Sequence, residues 1–150
     1  MSEEEDLHRK FALDCFNKTW DLIDKTNRTP EEDVRMIHMA HASRFHWGEI
    51  GTPLNFARGD WQISRVYALL RQGKNALLYA ESCIKLCIDN QFGDFDLAFA
   101  YESAARAFAV LGDTKMMNKH LSLAKEAGQG IEKEADRKYF FSELETVSID

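Results

Sequence analysis

Two small clusters in this chain carry residue types that could do chemistry. His38, His41 and His46 supply imidazoles suited to metal ligation or proton transfer. On a helix, His38 and His41 stand about 60° apart and can share a ligand, whereas His46 lies about 140° from His41. The three converge on one ion only with outside ligands, so a metal or small-molecule site would form around His38, His41 and Glu49. The plainer expectation is polar residues bordering a helix seam. Cys83 and Cys87 lie one helical turn apart on one face. With Cys15 they make an odd count and no secretion signal precedes them, which favours reduced thiols. A metal or redox role is the alternative reading; their expected role is as small buried residues in a helix seam.

Catalytic signatures are missing. The chain has no Walker A glycine loop, no Gly-x-Ser-x-Gly elbow and no His-Glu-x-x-His. Gly128-Gln129-Gly130 lacks the third glycine of a dinucleotide fingerprint. The expectation is a protein that is not an enzyme and takes no cofactor.

Charge narrows the partners. A formal net charge of −6, without any basic run, argues against a nucleic-acid footprint and an anionic membrane surface. The acidic start, Met1 to Lys10, is followed by no apolar signal segment, and no apolar run approaches the roughly 20 residues of a membrane span. The expected location is the cytoplasm.

The elements that position these residues are helices. Hydrophobic residues make up 45% of the 150, enough for one globular domain over residues 1–150. Valine and threonine are sparse beside alanine, leucine and lysine, so the propensities are all-α. Helix signals predict seven helices: Glu3 to Lys25, Pro30 to Trp47, Pro53 to Arg71, Asn75 to Asn90, Asp94 to Leu111, Thr114 to Ile131 and Ala135 to Val147. Thr29-Pro30-Glu31-Glu32 is a cap, a first-turn proline and a capping box in sequence. Thr52-Pro53 repeats the cap and proline. Gly48 to Gly51 should end the second helix, Gly59 should weaken the third, and Gly128 and Gly130 should fray the sixth. Short loops make neighbouring helices antiparallel.

The strongest internal pattern is a repeat of 41 residues. Ser64, Tyr67, Ala76, Ala80 and Cys83 return as Ala105, Phe108, Met117, Leu121 and Ala124. The later copy, Tyr101-x2-Ala104-Ala105-x2-Phe108-x3-Gly112-x4-Met117-x3-Leu121-x2-Ala124, resembles a tetratricopeptide repeat. Small residues stand where paired helices cross, and an aromatic fills the gap beside them. The family's leading Trp is replaced by Asp60 and Tyr101, its turn glycine is Arg71 in the first copy, and its closing proline is absent. The chain is similar to uncharacterised bacterial proteins of this longer type. The resemblance implies antiparallel helix pairs stacked as a short right-handed superhelix. The repeats would cover about 53–90 and 94–131, with a degenerate pair at 3–47 and a capping helix at 135–147.

That resemblance also implies that the first helix of each pair lines a concave groove for a protein segment or peptide. The inward candidates are Arg58, Trp61, Arg65 and Leu69 in the third helix and Phe99, Glu102, Arg106 and Val110 in the fifth. Arg65 and Arg106 stand one period apart. Beside Trp61 they would hold a carboxylate and an apolar side chain. The competing expectation is structural: Glu102 and Arg106 pair along their own helix, and Arg65 packs over Trp61. Phe92, Phe95, Phe99 and Phe108 are expected in the core, and Trp47 as a plug of the first pair. A second possibility is a homodimer, because the stripe of Tyr139, Phe140 and Leu144 could exceed what one chain covers.

Overall fold

The computed structural model describes residues 2–149, and among them the chain is all-helical, with no strand. Seven helices follow in order: α1 (Glu3–Ile23), α2 (Pro30–Ile50), α3 (Pro53–Leu69), α4 (Gly73–Asp89), α5 (Asp94–Leu111), α6 (Thr114–Gln129) and α7 (Glu134–Leu144).

Local chemistry sets the ends. Thr29 and Glu32 form the reciprocal capping box: the Glu32 amide donates to Thr29 Oγ1 at 3.2 Å and the Thr29 amide donates to Glu32 Oε1 at 2.9 Å. At Thr52, the amide and hydroxyl both donate to Asn55 Oδ1. Arg28 closes α1 by donating to the carbonyls of Leu22 and Lys25. The second helix runs past its expected end: Gly48 is helical, α2 reaches Ile50, and the break falls at Gly51.

The repeat's turn position shows the same backbone in both copies. Gly112 has φ of 74°, and Arg71, one period earlier, has φ of 63°. Arg71 therefore adopts the left-handed conformation that glycine takes without steric cost.

The helices stack as pairs. α1 packs on α2, α3 on α4 and α5 on α6; α2 and α4 join each pair to the next by packing on α3 and α5. The odd-numbered helices also meet one another, α1 with α3, α3 with α5 and α5 with α7, and form one face. The small residues at the crossings are fully buried: Ser64, Ala76, Ala80, Ala104, Ala105 and Ala124. Ser64 Oγ donates to the Ala76 carbonyl at 2.8 Å, satisfying its hydroxyl inside the α3–α4 crossing.

Two glycines act through close approach instead of weakening or fraying their helices. A Cβ at Gly59 would lie 2.8 Å from Arg44 Cδ, so the glycine lets Arg44 cross α3. Arg44 thereby reaches Asp60 at 2.9 Å, while Ser82 donates to the other carboxylate oxygen at 2.6 Å. Asp60 thus ties α2, α3 and α4 by polar contacts. A Cβ at Gly128 would lie 2.5 Å from a ring carbon of Phe140, so this glycine seats α7 on α6.

Candidate functional site

The repeat spacing extends across the face of odd helices. Trp20 on α1, Trp61 on α3, Glu102 on α5 and Glu143 on α7 stand successively 41 residues apart. Trp20 stacks on Trp61, with ring centroids 5.5 Å apart and planes at 28°. Trp61 Nε1 donates to Glu102 Oε1 at 3.3 Å. Arg65 bridges the last step, donating to Glu102 at 3.3 Å and to Glu143 at 3.5 Å. One register thus persists over four helices, including the first, which the sequence pattern left degenerate.

Around Trp20 and Trp61 the helices form a half-open cavity of about 140 Å³, lined from α1, α3, α4, α5 and α7. It is of the size at which an apolar protein cavity admits one aromatic ring. Phe16 and Trp20 come from α1, Trp61 from α3, Phe95 and Phe99 from α5, and Tyr139 from α7. Phe99 meets Trp61 edge-on at 5.6 Å and Phe140 edge-on at 4.9 Å, so its ring is fixed from two sides. Ala57, on α3, leaves the space that a larger side chain would fill.

Polar groups stand around the cavity. Arg58 holds Asp96 with two hydrogen bonds, of 2.9 and 3.2 Å. The Arg58 side chain is 54% exposed and Asp96 only 19%, so the cationic member faces solvent. The Asp96 contacts use two of the five N–H donors of a guanidinium. Cys83 and Cys87 of α4 also line the cavity. The neighbouring Cys87 thiol, together with burial, pushes Cys83 up, and the Cys83 thiol lowers Cys87.

Arg65 and Arg106 are brought together as their spacing predicts, but around a carboxylate of the chain itself. Glu102 is fully buried and accepts from Arg106 Nε at 2.6 Å as well as from Arg65 and Trp61. Burial alone would raise the Glu102 carboxyl; the two guanidiniums and the hydrogen bonds from Arg106 and Trp61 outweigh it and hold the carboxyl below its ordinary range. Arg106 also donates to the Glu143 carbonyl at 3.2 Å and to Thr146 Oγ1 at 2.8 Å. Arg65 lies over the Trp61 ring at 5.0 Å. The two arginines therefore clamp α3, α5 and α7 and do not present an open pair to solvent. Of the six sequence candidates, Arg58, Trp61 and Phe99 line the cavity, while Arg65, Glu102 and Arg106 support its wall. Leu69 is 37% exposed and, like Val110, lies outside the cavity lining.

The lining residues that sequence reasoning missed are Phe16, Trp20, Ala57, Phe95, Asp96 and Tyr139, with the two thiols. The period held a signal for some: Phe16, Ala57 and Tyr139 fall on one 41-residue series, as do Trp20 and Trp61. Phe95 and Phe99 were assigned to the core, and they serve both core and cavity.

The histidines diverge. His41 Nε2 meets the Tyr67 hydroxyl at 2.8 Å, and burial lowers its pKa. His46 Nδ1 meets His8 Nδ1 at 2.8 Å on the other side of α2. His38 is exposed. No group of three metal-ligating side chains forms among the described residues. Trp47 is 8% exposed and covered by Arg9, whose guanidinium lies 5.7 Å from the ring centroid.

Among the described residues no helix is long and apolar enough to cross a membrane. No family model, curated protein or solved structure matches the chain.

Proposed function

We propose that this protein is a non-enzymatic binding module of tetratricopeptide-repeat-like type, of the kind seen in uncharacterised bacterial proteins and acting in the cytoplasm. It holds one large apolar side chain of a protein segment in the aromatic cavity between α1, α3, α5 and α7. The observation that carries this reading is the cavity itself: six aromatic rings from four helices surround a space the size of one ring. Building such a wall from separate elements leaves apolar surface that a partner's side chain covers. Arg58 adds charge selectivity, because its remaining donors suit an acidic group flanking that side chain. Arg65 and Arg106 contribute indirectly, by fixing Trp61 through Glu102.

A random peptide library displayed on phage and sorted against the whole chain tests this. The selected peptides should share an aromatic or large aliphatic anchor. Trp20→Ala, which removes a wall, and Ala57→Leu, which fills the cavity, should each weaken them at least tenfold, or about 1.4 kcal/mol. Selected peptides that bind both folded variants as tightly as the parent chain would overturn the reading.

One observation favours the second reading, a homodimer, but not on the face first expected. Phe140 and Leu144 of the α7 stripe are buried within the chain, which leaves Tyr139, 48% exposed, as its member open to solvent. Exposed aromatics gather instead on the first pair, where Phe11 is 42% and Phe45 59% exposed, both against His46. Sedimentation at low concentration separates the two: a dimer broken by Phe45→Ser supports this surface, and a clean monomer removes it.

A further inference from the structure

We propose that Cys83 and Cys87 form a site for one soft monovalent cation, Cu(I) in type, held between two thiolate sulfurs at the cavity. Both cysteines are free, both belong to α4, and both line the same cavity. Residues four apart on a helix place their Cβ atoms about 5–6 Å apart. That span is too wide for a disulfide, which needs a Cβ separation of about 3.5–4.5 Å. It suits a single ion bridging two sulfurs.

The surroundings select the ion. Zinc takes four ligands, or three and a water. Here no third metal-ligating side chain joins the thiols among the described residues. Two thiolates in an apolar setting favour a soft, low-coordinate cation, and Cu(I) is the common ion of that class. The reaction balances without redox change: two S–H bonds break, two S–Cu bonds form, two protons pass to solvent and copper remains Cu(I). The resulting S–Cu–S unit carries one net negative charge and lies in the cavity lined by the Arg58–Asp96 ion pair.

This site uses the cavity but does not depend on a peptide partner, and it is tested with Cu(I) alone. The reduced, full-length chain is titrated anaerobically against a chromophoric Cu(I) chelator, bathocuproine disulfonate. The expected result is one Cu(I) withdrawn per chain, with Cys83→Ser and Cys87→Ser each weakening retention at least 100-fold. Cys15→Ser should retain the full affinity, because Cys15 lies on α1 outside the cavity lining. X-ray absorption of the loaded parent chain should show two sulfur neighbours, a reading that needs no variant to fold. No transfer to the parent chain, loss of the ion on Cys15→Ser, or serine variants that keep parental affinity would each overturn the proposal.

Discussion

Glu102 is the residue on which the cavity wall turns. It is a carboxylate without solvent exposure that accepts from Trp61, Arg65 and Arg106. Removing one partner from a buried ionic cluster leaves uncompensated charge and costs about 3–5 kcal/mol. Glu102→Gln should lower unfolding free energy by about that much in urea titrations. The pH dependence has a definite sign. The folded carboxyl lies below its ordinary value of 4.5, so near that pH the unfolded chain binds more protons. Stability should be fully present above pH 4.5 and fall as pH drops further, and Glu102→Gln should flatten that slope. The sequence made Arg65 and Arg106 legible as neighbours, because one period separates them. It hid their occupation. Glu143 reaches them from α7 and Thr146 from the turn just after it, contacts that depend on how the last helix folds back over the face.

At the scale of elements, the same residue type has opposite meanings in two helices. At Gly48, an added Cβ would meet only the flexible end of Arg44, at 3.4 Å. At Gly128 it would strike the fully buried ring of Phe140. Gly48→Ala should therefore stabilise the protein by up to about 1 kcal/mol through helix propensity. Gly128→Ala gains the same propensity but overpacks the α6–α7 contact at a cost of about 1–3 kcal/mol. It should be neutral to destabilising, and thermal unfolding of the two variants side by side checks the difference. Sequence reasoning read both glycines as breaks. Whether Gly128 ends its helix or admits a neighbour depends on what packs against it, and neighbours across a helix seam are invisible in one dimension. The caps were legible for the converse reason: Thr29, Pro30 and Glu32 act within one turn.

The whole molecule is organised by the repeat. Its small residues were legible at the α3–α4 and α5–α6 crossings, where burial imposes size. Its reach into α1 and α7 rested on single matches, Trp20 with Trp61 and Glu102 with Glu143, and was obscured because the residue type changes between Trp61 and Glu102. The consequence is functional. The first helix neither extends an open groove nor simply blocks it; Trp20 stacks on Trp61 and helps close the face into a cavity of one ring's size. The chain's three tryptophans make this testable, since Trp20 and Trp61 line the cavity and Trp47 is buried outside its lining. The most direct measurement follows the three indole N–H resonances by NMR while a library-selected peptide is added. Saturable shifts of Trp20 and Trp61, with Trp47 unmoved and no shifts from a peptide whose anchor is replaced by alanine, are the predicted result. Peptide binding that leaves Trp20 and Trp61 unmoved would contradict it.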